Sequence, residues 1–338
     1  MLTLLVVAGV GGLANQRLAE YSLAETEAKQ KFAAMESPHH YDAIIIGTSI
    51  ATYGVDPRSF PEEGRYYNFS LPGAAGRMTR VVVDRFLDAG NTAQYVLFEV
   101  NPLTFDPAHA WRRPYHDIDA LSRRHARELQ QRAYGPASLE TWRFVGETFP
   151  LWSRRAPAEW FFFGIDSRDT IAATEDQLRL QHYALGYVPL EDRPIPPGEL
   201  ARPVRYVNSR KNPVVRKDVE AVETLIARLQ AAGSTVILFE APVCGHQTIG
   251  EPYEQYRREI DRIAQQFHLA HLNYREQELT SDTSDREPYF WDRTHLSRSG
   301  ATCFSRELWR DVQASLANGD AIIQPVKFTA APDEKHRH

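Results

Sequence analysis

Cysteine is nearly absent: Cys244 and Cys303 are the only two in 338 residues. They do not form a Cys-x-x-Cys pair, and no set of Cys and His has metal-ligand spacing, so neither a metal centre nor a dithiol redox motif is expected. Two buried thiols are the simple expectation, with a disulfide as the alternative in an oxidising compartment. An excess of positive charge is also missing. Lys and Arg total 39 against 44 Asp and Glu, a formal net charge of -5. A nucleic-acid partner, which calls for a clustered basic face, is therefore not expected. No internal repeat or low-complexity tract is visible. The apolar run Leu2 to Ala14, LTLLVVAGVGGLA, falls short of the roughly 20 residues of a membrane-spanning helix. No Lys or Arg precedes it, so the usual positive front of a signal peptide is missing too. It reads as the end of a signal-anchor or as a signal peptide with an unusual front. A buried element of the domain is the alternative. The polar, helix-like stretch from Asn15 to His40 reads as a stalk. On this reading the domain is periplasmic or otherwise extracytoplasmic, held at the inner membrane by its N-terminus.

What is present is ordinary globular material, 43% hydrophobic and 25% charged, enough for a sizeable core. Short, continuously apolar runs predict strands buried on both faces, as in a parallel sheet: Tyr41 to Gly47 (YDAIIIG), Tyr95 to Val100 (YVLFEV) and Thr235 to Ala241 (TVILFEA). Tyr66 to Leu71 and Ala270 to Tyr274 are weaker candidates. Helical spacing of apolar residues predicts helices over Met78 to Ala89, Lys217 to Ala232, Tyr253 to Phe267 and Ala301 to Leu316. Alternating strands and helices argue for an α/β, three-layer domain with right-handed crossovers. The segment from Pro102 to about Arg216 breaks the rhythm. It is rich in Arg, Trp, Phe and Pro, with helical stretches at Leu139 to Leu151 and Ser167 to Tyr183. It reads as an insertion packed over the carboxyl end of the sheet, where open α/β folds bind ligands. The expected organisation is an anchor or signal plus stalk over residues 1–40, a domain over 41–320 with a helical insertion at about 104–215, and a flexible tail over 321–338.

Three short motifs carry chemistry. Gly47-Thr48-Ser49 ends the first buried strand, where a tight turn would lift a serine hydroxyl above the sheet with backbone N–H groups beside it. Asp292-Arg293-Thr294-His295 precedes the last helix. A serine nucleophile needs a base, and the imidazole needs an orienting carboxylate, which Asp and His three apart can supply. Asn68 to Gly73 follows the second strand, and the glycine would let a backbone N–H approach an oxyanion closely. Taken singly, each could be a turn, a cap or a surface pair.

In this order and context the three resemble the blocks of the SGNH/GDSL hydrolase superfamily. The first block, usually Gly-Asp-Ser, reads Gly47-Thr48-Ser49; the second matches Asn68 and Gly73; the fifth matches Asp292 and His295. The third block departs: where the family carries Gly-x-Asn-Asp, this chain has Asn101-Pro102-Leu103 without the glycine. The resemblance implies an SGNH-hydrolase-like fold, Ser49 as nucleophile, His295 as base, Asp292 as its orienter, and the N–H groups of Ser49 and Gly73 as oxyanion donors, with Asn101 as a further candidate. Gly-Thr-Ser, Asn-x-Ser-x-Pro-Gly and Asp-x-Thr-His-Leu-Ser-x-x-Gly-Ala look more like the cell-envelope branch, among DltD-like and AlgJ/AlgX-like polysaccharide O-acetyltransferase relatives. That branch implies a polysaccharide or acylated-glycan substrate and, often, a membrane-bound O-acyltransferase partner; no metal or organic cofactor is expected. The expected activity is O-acetyl transfer through acyl-Ser49. The alternatives are a polysaccharide acetyl-esterase and a catalytically inactive binding or scaffold subunit. Trp111, Arg112, Arg113 and Trp160 in the insertion could form a sugar platform or simply hold the insertion onto the sheet. Glu99 and Glu240, near the ends of apolar strands, are candidates for orienting the loops of the site.

Overall fold

The computed structural model describes residues 30–105, 185–192, 195, 214–244, 251–274 and 289–318. Its centre is a five-stranded, all-parallel sheet in the order β2-β1-β3-β4-β5. The strands are β1 (His40–Ile46), β2 (Tyr66–Asn68), β3 (Thr92–Glu99), β4 (Thr235–Glu240) and β5 (Ala270–Asn273). The helices are α1 (Ser49–Gly54), α2 (Gly76–Asp88), α3 (Arg216–Ala231), α4 (Glu251–Phe267) and α5 (Arg298–Asn318). The expected α/β three-layer architecture is therefore present.

The layers follow from side-chain alternation along the strands. Ile44, Ile46, Val96, Phe98, Val236 and Leu238 point to one face, where α2, α3 and α4 cover them with Val82, Phe86, Leu225 and Ile260. Ala43, Ile45, Leu97, Ile237, Phe239 and Leu272 point to the other, under Ile50 of α1 and Phe304, Leu308 and Val312 of α5. Because both faces are covered, the strands lack the polar alternation of a half-exposed sheet. That is why YDAIIIG and TVILFEA are legible as strands.

Element boundaries move by a few residues from those expected. β2 is three residues long. Phe69 and Leu71 still donate to the Ile45 and Gly47 carbonyls, but the Asn68 side chain accepts from Ser70 N–H at 3.0 Å and turns the chain away from the ladder. The domain also takes in residues 30–40, expected as stalk. Lys31, Phe32 and Met35 are 1%, 3% and 1% exposed, and Lys31 Nζ donates to the Ser70 carbonyl. The Leu2 to Ala14 run, the two insertion helices and the tail lie outside the described residues. Among the described residues no helix is long and apolar enough to cross a membrane. Cys244 and Cys303 are both free thiols, the first buried and the second half-buried.

Candidate active site

The strand order reverses direction between β1 and β3, the switch point at which open parallel sheets form a crevice beyond their carboxyl ends. β1 delivers Gly47, Thr48 and Ser49 there, and β3 delivers Glu99 and then Asn101. Gly47 has φ +146°, and a Cβ on it would stand 2.7 Å from Glu99 Cβ and 2.8 Å from Glu99 Oε2. Both the backbone conformation and the close approach of Glu99 call for glycine.

Glu99 is fully buried. Its Oε2 accepts from Thr48 N–H at 2.9 Å and from Thr48 Oγ1 at 2.8 Å, and its Oε1 accepts from Asn101 Nδ2 at 2.6 Å. Thr48 Oγ1 accepts in turn from Asn101 Nδ2 at 3.0 Å and from Ile50 N–H at 3.3 Å, which caps α1. One hydroxyl proton and two lone pairs are thus fully used. Burying a carboxylate is costly unless several donors face it, and here the donors come from the two loops that must be held together. A second carboxylate in place of Thr48 could take up this position beside Glu99 only at the cost of like-charge repulsion.

The turn leaves Ser49 at the start of α1. Its Oγ lies 2.9 Å from His295 Nε2, across 246 positions of sequence. His295 Nδ1 lies 2.8 Å from Asp292 Oδ2. A carboxylate can only accept, so the proton sits on Nδ1 and Nε2 is left to accept from the Ser49 hydroxyl. The same aspartate shapes the backbone beneath the ring. Asp292 Oδ1 accepts from Thr294 N–H at 2.7 Å, His295 N–H at 2.8 Å and Thr294 Oγ1 at 3.0 Å. Burial acts to raise the Asp292 carboxyl pKa, but His295 and the two backbone N–H groups outweigh it and hold it at about 2. Asp292 is therefore ionised and ready to stabilise an imidazolium. The edge of the Tyr53 ring packs on the His295 ring at 5.3 Å between centroids.

The loop carrying Asp292 and His295 is closed on itself. Trp291 N–H donates to the His295 carbonyl, Ser297 N–H to the Tyr289 carbonyl, and Phe290 bridges Leu296. Cys244 N–H donates to the Arg293 carbonyl and ties the loop to the chain leaving β4. In the first turn of α5, a Cβ on Gly300 would fall 1.9 Å from the Tyr289 carbonyl oxygen. The glycine of the Leu-Ser-x-x-Gly-Ala motif lets helix and loop meet.

Asn68 and Gly73 join the same region. Asn68 Nδ2 donates to the Ala51 and Val55 carbonyls at 2.8 and 2.9 Å, fastening the end of α1. Leu71 N–H donates to the Gly47 carbonyl, and Gly73 follows in a turn with φ +72°. Asn101, the further oxyanion candidate, is placed differently from that expectation. Both its amide hydrogens are engaged by Glu99 and Thr48, and the residue is 1% exposed. It braces the turn that carries Ser49. Glu99 occupies the orienting position considered for it, whereas Glu240 meets His271, with Oε1 3.2 Å from Nε2. Thr48, Tyr53 and Thr294 also belong to the site, and sequence pattern alone does not single them out. Thr294 announces itself only as the small hydroxyl inside Asp-x-Thr-His. Trp111, Arg112, Arg113 and Trp160 lie outside the described residues. Among the described residues no cluster of His, Cys, Asp and Glu could hold a metal ion. The sequence matches no protein-family model and no curated protein.

Proposed function

We propose that the protein performs acyl-ester chemistry through Ser49, transferring an O-acetyl group on an envelope or secreted polysaccharide outside the cytoplasm, beside a membrane-bound acyltransferase. The observation that carries the chemical part of this reading is the unbroken chain from Ser49 Oγ to His295 Nε2 and from His295 Nδ1 to Asp292, at 2.9 and 2.8 Å. These are working distances for a nucleophile, its base and the orienting carboxylate. An inactive scaffold would have no need to keep them. The glycan, the export and the partner rest on the resemblance of the motifs to the cell-envelope branch of the SGNH/GDSL superfamily.

In the first half-reaction His295 takes the Ser49 proton as Oγ attacks the acyl carbonyl. The negative charge that develops on the carbonyl oxygen is held by the backbone N–H groups of Ser49 and Gly73. Collapse breaks the ester bond, and His295 returns the proton to the departing alcohol. In the second half-reaction a sugar hydroxyl, or water in an esterase, loses its proton to His295 and attacks acyl-Ser49; the bond from Ser49 Oγ to the acyl carbon breaks, and His295 returns the proton to Oγ. Asp292 stays ionised throughout and offsets the positive charge on the imidazole.

The test is turnover of 4-nitrophenyl acetate by the purified chain beside Ser49→Ala. Turnover that falls to background in the variant, with an acetyl adduct on Ser49 visible by mass spectrometry in the parent, is the expected result. Equal turnover in both proteins would overturn the proposal. Addition of an oligosaccharide acceptor then separates transfer from hydrolysis: acetylated sugar marks a transferase, and acetate alone an esterase.

A further inference from the structure

After the undescribed residues 106–184, the chain returns across the site as the short segment 185–192. The Leu185 carbonyl accepts from Asn68 N–H at 2.8 Å, Val188 N–H donates to the Thr52 carbonyl at 3.2 Å, and the Leu190 carbonyl accepts from Arg298 N–H at 2.8 Å. Asp192 completes the series. Its Oδ1 accepts from Ser299 N–H and its Oδ2 from Ser299 Oγ, both at 2.9 Å. Tyr187 and Val188 anchor the middle, 0% and 3% exposed, with the Arg58 guanidinium 5.7 Å above the Tyr187 ring.

The partners of this strap matter more than their number. Thr52 is three residues after Ser49 and on the same short helix. Arg298 and Ser299 are three and four residues after His295, where α5 begins. Asn68 heads the loop that ends in Gly73. One segment of eight residues therefore bonds to all three pieces of backbone that carry the site. A carboxylate at the first turn of α5 is also favoured by the positive end of the helix dipole there. Burial acts against the ionised form, but Ser299, Ser297 and Arg298 hold the Asp192 carboxyl below its ordinary pKa.

We propose that Asp192 is a positioning residue: by clamping Ser299 at the head of α5 to a strap that also holds Thr52, it sets the distance between His295 and Ser49. This inference rests on the reading of Ser49 and His295 as a working pair. A second link, Asp56 N–H to Ser305 Oγ at 2.7 Å, joins the chain just after α1 to α5 further from the loop. Loss of Asp192 should therefore misplace His295 without unfolding the domain.

The experiment compares the full chain with Asp192→Ala and Asp192→Asn in three readouts: labelling of Ser49 by a fluorophosphonate, kcat and KM for 4-nitrophenyl acetate, and the downfield proton resonance of His295 Nδ1–H. Asp192→Ala should slow labelling and lower kcat about tenfold or more, since small displacements of a catalytic group are that costly, with KM within about twofold. It should also weaken the downfield resonance. Asp192→Asn, which keeps an acceptor oxygen for Ser299 N–H, should recover most of both. Parent-like labelling and resonance in Asp192→Ala would overturn the proposal. So would an Asn variant no better than Ala, or a fall in labelling matched by an equal loss of folded protein in a thermal melt. If the parent itself resists the fluorophosphonate, the nucleophile reading fails, while the His295 resonance still decides whether Asp192 positions the imidazole.

Discussion

Ser49 stands on a turn whose polar supports are sealed from water, whereas Asp292 and His295 stand on a loop that solvent reaches. Behind the serine, Thr48, Glu99 and Asn101 are 4%, 0% and 1% exposed. The His295 and Asp292 side chains are 20% and 27% exposed. The first arrangement is part of the sheet: its donors and acceptors come from the ends of β1 and β3 and cannot be lost without opening the core. The second is local, since one carboxylate within four residues shapes its own loop and orients the ring. A nucleophile whose attack angle must be exact gains from the rigid support. His295 takes the orientation of its ring from the local one. It follows that damage to the first support should be felt as instability, and damage to the second as lost chemistry in a protein that still folds.

The largest test of that contrast is Asp292→Asn. It keeps the shape but no longer fixes the tautomer of His295, and comparable changes in serine hydrolases lower kcat by about ten-thousandfold. The melting temperature at neutral pH should fall by only a few degrees, the share of the ionised carboxylate, and a larger drop would break the contrast. Next is Glu99→Ala, which leaves the three hydrogen bonds from Thr48 and Asn101 without their buried acceptor. A loss on the order of 3 kcal/mol is expected in urea unfolding, because buried unsatisfied groups keep their full desolvation cost. Gly47→Ala should lose about 2 kcal/mol from positive φ and the clash with Glu99, read by the same unfolding curves. The smallest effect concerns pH. The Asp292 carboxyl is lowered from 3.8 to about 2 in the folded protein. A depressed carboxylate contributes stability that is present above pH 3.8 and is lost as pH falls through 2. Its share is on the order of 1–2 kcal/mol, given partial exposure. Between pH 5 and 2 the parent should lose that much more stability than Asp292→Asn. Parallel stability curves would show that the aspartate is not held as described.

Legibility in the sequence followed the same divide. The strands that carry the site were readable because a sheet covered on both faces needs unbroken apolar runs. Asp292 and His295 were readable because their relation is local, three positions apart in one turn. The support of Ser49 was only half readable. A glutamate at the end of YVLFEV had to find partners, but nothing in the sequence says that they are Thr48 and Asn101, which the fold brings from two different loops. Helix α1, at six residues, is too short to show a period. The polar composition of residues 30–40 concealed Phe32 and Met35, which join the cluster that holds Phe69 and Phe86, and Lys31, which reaches the Ser70 carbonyl. The pairing of Asp192 with Ser299 spans 107 positions and leaves no trace in local pattern.

The seam between β3 and β4, paired from Tyr95↔Thr235 to Glu99↔Phe239, has one more consequence. It joins a first half of the chain that holds Ser49 to a second half that holds Asp292 and His295. If the chain were expressed as two fragments divided between these strands, neither would hold a complete reactive centre. If Ser49 acts as proposed, recovery of ester turnover on mixing them would report re-formation of the interface between the halves, of which this strand pair is the part within the sheet.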